Sequence, residues 1–600
     1  MSPPPRPNDR TWLPVALTLA FALLAAVPWQ PQFADAGLDA SWGVGLRLAF
    51  LRGISLGNEF AIVLGPLGWV FLNTYHTGGY ATLVGFWTFV AVTIAVGTWL
   101  QLRAADCSPW LATAVAIALV CGVAVRSDSL LYAVSALLLA RWFGGDWNWR
   151  ADGWMLAVAA GLVPLVKFSH LLAACLVVGL ITIDEARRNR SAWVAAVSGS
   201  VFACGWLFCG QSLTALPDYL RTSLELTFGY GDAMAHDAFP AGLMAGFAAI
   251  AGIIVGRLAW SAIRSRDVGT ALFAAGTAGL LLLVFKATFV RCDQTHLPIG
   301  GAVLPLLACL CAPPPAHGVA VTPRRGVAWP VATLALLLTL AIRAEAYPDH
   351  PWRIPPIPGM LVRNPPAIVG FATGSCRLDE QAAAVAAQLR TDYPFAGIDG
   401  RVDMVGYEQT ALVAHGLDFR PRPVMHGNCA YTPALAELNV AHLRGPAAPR
   451  HMLLAAESID DRLPWLDDSL VRLEILRRYE PVELRGDYVL LRLREQPQPL
   501  DLTPLATHEV PLGGDAFVPL PGQTPLWATV RLRPTALGRL RSLLWRAPIV
   551  ALDLQLADGT RRRFRLVPLM AEVGFLISPL VETEAQFAHL AGAEEEPDPP

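Results

Sequence analysis

Residues 31–68 read PQFADAGLDASWGVGLRLAFLRGISLGNEFAIVLGPLG, a stretch too polar to lie inside a bilayer and too apolar for an ordinary loop. Asp35, Asp39 and Glu59 stand in it among Trp42, Phe50 and Phe60, where aliphatic and aromatic neighbours would partly dehydrate a carboxylate. From 41 to 52, Trp42, Leu46, Ala49 and Phe50 recur at helical spacing with Arg47 on another face, the pattern of a helix lying in a membrane surface. Gly57-Asn58-Glu59 breaks that helix and Gly65-Pro66-Leu67-Gly68 ends the segment. Glu59 is therefore expected at a turn near the headgroup plane.

Outward from this stretch the chain is a membrane protein. It has 600 residues, 54% hydrophobic and only 16% charged, with a mean hydropathy of +0.44, whereas soluble chains carry about 25% charged residues. Apolar runs fall at 11–29, 80–102, 109–125, 129–143, 154–166, 171–183, 193–209, 241–263, 269–285, 297–312 and 327–344, about eleven helical spans, and stop near Tyr347. The run 11–29, flanked by Arg6, Arg10, Trp12 and Trp29, reads as a span, with a cleaved signal peptide as its alternative. Arginines gather on one side of the spans (Arg103, Arg187, Arg188, Arg190, Arg264, Arg266 among them). The positive-inside rule then predicts a cytoplasmic N-terminus, with the first loop (30–78) and the C-terminal region on the extracytoplasmic side. The net charge of −2 gives no reason to expect a nucleic-acid partner.

After 347 the composition changes. Residues 348–366 read as a Pro-rich linker, 367–497 as an α/β domain, 498–592 as a β-sandwich-like domain of short alternating runs, and 593–600 as a disordered acidic tail. Most of the ten cysteines lie in apolar spans, as small hydrophobes. Cys376 and Cys429 fall in the C-terminal region and read as a disulfide or as two buried thiols.

The motifs LDASW (38–42), GNEFAIVLGPLG (57–68), GYGDAM (229–234), FKATFVRCDQTH (285–296), PRPVMHGNCAYTPALAELN (421–439) and ESIDDRLPWLDD (457–468) resemble those of a bacterial family of polytopic membrane proteins, a resemblance over most of the chain that brings no activity with it. Family versions are closer to LDPSW and GxDxxFTYGPLG; here Ala40, Glu59 and Ile62-Val63-Leu64 depart from them. The wider architecture, an acidic first outer loop, a surface helix, many spans and an outer C-terminal region, resembles the GT-C superfamily of glycosyltransferases. That resemblance implies a polyprenyl-phosphate-linked sugar as donor, a glycan or lipid acceptor, a base in the first loop, and in some members a divalent metal held by carboxylates.

Such a transfer needs a carboxylate to take the acceptor's proton and cations to hold the departing lipid phosphate. Asp39 and Glu59 fit the first role by position, with capping or pairing to Arg47 or Arg52 as their alternative. The only two lysines, Lys167 and Lys286, fall at span ends beside His170 and Arg291, and with Arg126, Asp128, Tyr230, Asp293 and His296 make a candidate substrate-binding set. Their alternatives are snorkelling to the headgroups and, for Arg126 with Asp128, an ion pair fixing a hairpin. His170, His236 and His296 show no metal-ligand spacing. Tyr431, Asn439, Asp460, Arg462 and Asp468 read first as turn and cap residues and second as a sugar cleft. A non-catalytic polysaccharide assembly or export component with a glycan-binding module is the competing function; a transporter is disfavoured because few charges lie mid-span.

Overall fold

The computed structural model describes residues 12–105, 107–144, 151–235, 240–311, 325–349, 357–516 and 524–592. The tail 593–600, His236 and residues 350–356 of the expected linker lie outside them.

The membrane part is a helix bundle: α1 (Trp12–Ala26), α2 (Leu38–Arg52), α3 (Gly68–Phe71), α4 (Tyr80–Ala104), α5 (Pro109–Val123), α6 (Ser127–Phe143), α7 (Ala151–Leu162), α8 (Phe168–Arg187), α9 (Trp193–Phe208), α10 (Leu216–Ala233), α11 (Ala241–Ser265), α12 (Val268–Phe289), α13 (Leu297–Leu310) and α14 (Arg325–Ala346). Each expected span coincides with a helix. Among the described residues, α4, α8, α11 and α12 are each long and apolar enough to cross a membrane, and shorter apolar helices accompany them. The α9 chain turns by 105° into the segment carrying α10, so residues expected as a long loop form a helix bent away from the span direction. α6 is buried from Ser129 to Ala140 and is the centre of the bundle; a helix apolar all round belongs in a core. Ile253 and Ile263 of α11, Leu282 of α12 and Leu336 and Leu337 of α14 instead stay exposed on the outside, where lipid would cover them.

The C-terminal region opens with α15 (Ile357–Thr373) and α16 (Leu378–Asp392), so most of the expected linker is helical. The reason is packing. Pro365 and Pro366 are outweighed by contact with the end of α1, where Asn364 Nδ2 donates to Leu24 O at 2.7 Å and Phe371 meets Trp29 edge-on.

The α/β region follows as expected: β1 (Arg401–Val405), α17 (Gln409–Ala414), β2 (Asp418–Phe419), α18 (Pro433–Arg444), β3 (His451–Leu454), α19 (Ser469–Arg478), β4 (Tyr479–Leu484) and β5 (Val489–Leu493). They form one mixed sheet in the order β2-β1-β3-β5-β4, with β1 parallel to β2 and β3 and the remaining pairs antiparallel.

Among the described residues the expected β-sandwich is not formed. Residues 524–592 hold β6 (Leu526–Ala528), α20 (Ala536–Leu544), β7 (Val550–Gln555), β8 (Arg561–Leu566), α21 (Pro568–Ala571), β9 (Phe575–Ser578) and α22 (Glu584–Leu590). Their strands make two separate two-stranded ladders, β6-β9 and β7-β8. The alternation of β7 belongs to a hairpin turned by Gly559 at φ +84°, whose Val550, Leu552 and Leu554 pack on the C-terminal core. Phe587 of α22 stacks on Trp465, and Phe564, Leu566 and Phe575 join the same core as the β3 and β5 side chains, so the two C-terminal segments share one core.

Cys376 and Cys429 are free thiols, the first beside Ala367 O and the second buried against Tyr431. The disulfide reading is corrected: the two cysteines sit in different packing environments.

Candidate active site at the bundle end

Asp39 lies in the first turn of α2. α2 ends at Gly53, whose φ of +62° lets Ile54 N–H return to Ala49 O at 2.9 Å, a closure that favours glycine. The helix is clamped to the sheet region. Ser41 Oγ meets Thr410 Oγ1 at 3.0 Å, Trp42 stacks on His426 at 5.4 Å and 15°, and Ala61 N–H donates to Pro423 O at 2.8 Å. At Gly45 a Cβ would come within 2.7 Å of Met425 Sδ, so a larger residue there would push the methionine side chain aside.

The GPLG motif does the same for a cation. Gly65 and Leu67 donate to Val166 O and Leu165 O at 3.0 and 2.8 Å, and Phe168 N–H donates back to Val63 O at 2.8 Å. A Cβ on Gly65 would stand 2.3 Å from Leu165 O. This backbone pairing fixes Lys167 at the start of α8, where its Nζ donates to both oxygens of Asp128 at 2.9 Å and lies 4.4 Å above the Phe71 ring. His170 Nε2 joins Asp128 Oδ1 at 3.0 Å. Asp128 thus serves Lys167 and His170, while Arg126 donates to Gln294 O at 2.8 Å and contacts Tyr347 Oη at 3.1 Å. The hairpin ion pair between Arg126 and Asp128 is replaced by these longer-range contacts.

The loop between α12 and α13 supplies the other wall. Arg291 Nε donates to Asp293 Oδ2 at 2.8 Å, and its two terminal nitrogens fork onto Asp460 at 3.2 and 3.3 Å. His296 Nδ1 lies 2.7 Å from Asp293 Oδ1, and its Nε2 lies 3.1 Å from Tyr230 Oη. Burial alone would raise the Asp293 pKa; bonds from His296 and Thr295 hold it well below the usual carboxylate range. Burial raises the Tyr230 phenol.

Asp39 faces this set from α2. Burial raises its pKa above 3.8, opposed by the charges of His296, Lys167 and Arg291, while its side chain keeps an exposed surface. The arrangement is an exposed carboxyl, partly dehydrated, on which the charges of His296, Lys167 and Arg291 act.

The structure therefore gathers Asp39, Asp128, Lys167, His170, Tyr230, Arg291, Asp293 and His296 at one end of the bundle, with Arg126 joined to the same loop at Gln294. It does not bring Glu59 or Lys286 there. Glu59 accepts Ser55 N–H at 2.8 Å in an exposed turn, beyond the far end of a helix about 20 Å long. Lys286 donates to Ser542 O and Leu543 O at 3.3 and 3.0 Å, at the end of α20, because the C-terminal region docks against that end of α12. Asp460 is the long-range partner of Arg291 that sequence reading left among turn residues. Its left-handed φ of +53° aims it at Arg291, and a pairing 169 residues apart leaves no local pattern. Arg462, Asn439 and Asp468 are buried: Arg462 binds Asp467 and, in α10, Ala233 O, and Asn439, inside α18, binds Asp468. No group of three or more His, Cys, Asp or Glu side chains among the described residues is disposed to hold a metal ion.

Between α5, α13 and α14 runs a cavity of about 380 Å³ lined almost wholly by apolar side chains, from Cys309 and Pro305 to Val125, Pro298 and Arg343. Pro298 is two residues past His296, and Val125 adjoins Arg126, whose buried Nε has no partner.

No family model and no curated protein matches the chain. Among solved structures, ArnT from Cupriavidus metallidurans bound to undecaprenyl phosphate aligns at 13% identity over 82% of this chain and 100% of its own, with a TM-score of 0.28. The apo state of ArnT aligns at 13% identity over 80% and 97%, with a TM-score of 0.29.

Proposed function

We propose that the chain is a membrane-embedded glycosyltransferase that moves a sugar from a polyprenyl-phosphate donor to a glycan or lipid acceptor on the face bearing the sheet region, which we take as periplasmic. The observation that carries this reading is Asp39, a carboxyl of raised pKa facing Lys167, Arg291 and His296 where the helices end. Asp39 takes the proton of an acceptor hydroxyl as its oxygen attacks the anomeric carbon. The bond from that carbon to the phosphate oxygen breaks, and the polyprenyl phosphate leaves with the electron pair. Lys167 and Arg291 retain N–H donors beyond those given to Asp128, Asp293 and Asp460 and meet the growing negative charge. The apolar cavity beside Arg126 suits the donor's hydrocarbon chain, and the open side of Asp39 suits the acceptor.

The test is sugar transfer in purified membranes and glycan profiling of a deletion strain complemented with Asp39→Asn or Lys167→Ala. Both variants should lose transfer. Unchanged transfer with Asp39→Asn would sink the mechanism and favour a binding component instead.

A further inference from the structure

Lys286, released from the site, points to a second surface. α20 has nine residues, ALGRLRSLL, and is about 13 Å long. Thr535 caps its start through Gly538 N–H at 3.1 Å. Its other end is fastened to the end of α12: Lys286 donates to Ser542 O and Leu543 O, Trp545 Nε1 to Phe289 O at 2.6 Å, and Arg546 Nη1 to Val290 O at 3.1 Å. A lysine at a helix C-terminus also meets the negative end of its dipole.

This anchorage fixes the height of α20, since α12 is a membrane span and its end is where hydrocarbon gives way to headgroups. Leu537, Leu540, Leu543 and Leu544 follow one helical stripe and are 76, 50, 62 and 46% exposed. Four bare leucines on nine residues are costly in water. Arg531, Arg533, Arg539 and Arg541 are exposed around them, as on helices that lie in anionic lipid surfaces. Leu282 of α12, on the lipid side of that span, and Phe228 of α10 are exposed as well. Asp232 of α10 acts electrostatically on Lys286, so α10 ends beside the same corner, and the apolar stripe continues the surface that lipid already covers.

We infer that α20 is an interfacial helix whose leucine stripe is immersed in the membrane leaflet on the site face, with its arginines among the lipid phosphates, so that the C-terminal region is held by the bilayer as well as by the bundle. The occupant is the bilayer's own lipid; a second copy of the chain or a soluble partner would need a different covering.

The experiment places a benzoylphenylalanine photoprobe at Leu540 or, separately, at Leu537 in the full chain, reconstituted as one copy per nanodisc of phosphatidylethanolamine and phosphatidylglycerol. Gln388, exposed on α16, is the control position. Adducts to lipid acyl chains at Leu540 and Leu537, and none at Gln388, are expected. Lipid adducts no more abundant than at Gln388, or crosslinks mainly to residues of the chain itself, would overturn the proposal. The readout is independent of sugar transfer, so its outcome stands apart from the enzymatic reading.

Discussion

Replacing Arg422 with Met tests how the sheet region holds the clamp under α2. The Arg422 guanidinium is fully buried, with Nε on Asp468 Oδ2 and Nη1 on Asp403 Oδ2, each at 3.0 Å, and Nη1 also on Met404 O at 2.7 Å. Methionine fills much of the volume but leaves two buried carboxyls short of a cation. Asp468 keeps Asn439 Nδ2 at 2.8 Å, and Asp403 keeps the backbone N–H of residue 422 at 3.3 Å. Removing one partner of a buried pair costs about 3–5 kcal/mol. The surviving bonds place the loss near ~4 kcal/mol, a large part of the ~5–15 kcal/mol that holds a domain. A melting shift on the order of 10–20 °C follows.

The loss should depend on pH. Burial raises Asp468 to about 6 even against Arg422, Asn439 and Arg472. A carboxyl raised in the fold contributes stability below its unfolded pKa of about 3.9, and that contribution disappears as pH rises through the folded value. Without Arg422 the folded value climbs further, so the variant's deficit should be smaller at pH 5 than at pH 8. Thermal unfolding of the detergent-purified chain, followed by proteolysis of residues 401–493, measures both. A shift below ~1 kcal/mol, or one unchanged across that pH window, would refute the reasoning.

Asp39→Asn should lower transfer by roughly 10²–10⁴-fold. In the parent chain the rate should climb with pH through an ionisation above the ordinary aspartate value, a rise absent from the variant; Glu59→Gln should leave both rate and profile nearly intact. Lys286→Met should leave lipid-phosphate affinity unchanged in a binding assay while lowering thermal stability by about 1–3 kcal/mol, the worth of charged hydrogen bonds. Gly229→Ala would set a Cβ 2.4 Å from Tyr431 Cβ and should cost about 1–3 kcal/mol of overpacking, read as earlier melting. Maleimide should label Cys376 equally with and without reductant, since it is a free, partly exposed thiol.

The apolar helices and the helix at 38–52 were legible because both announce themselves locally, by run length and by spacing; the expected membrane-surface position of the latter is corrected, since Leu46 and Ala49 are buried in the protein core and Trp42 stacks on His426. Asp39 and Arg291 were legible as charges at helix ends. What escaped was pairing at a distance. Nothing near Lys286 signals that carbonyls 256 residues onward will claim it, and nothing near Asp460 signals Arg291. The sandwich expectation failed because alternation in β7 specifies one solvated face but not how many strands will share it.

The clamp beneath α2 also sets an order of events during synthesis. Ser41 waits for Thr410, made 369 residues later, and Trp42 waits for His426. At ~5–20 residues per second the ribosome needs roughly 20–70 s to cover that gap. Through that interval the segment bearing Asp39 has no partner from the sheet region, so the nascent bundle inserts with its acidic loop undocked. Under our assignment of activity, competence then arrives late and all at once, and a chain truncated before the sheet region would occupy the membrane without ever becoming an enzyme.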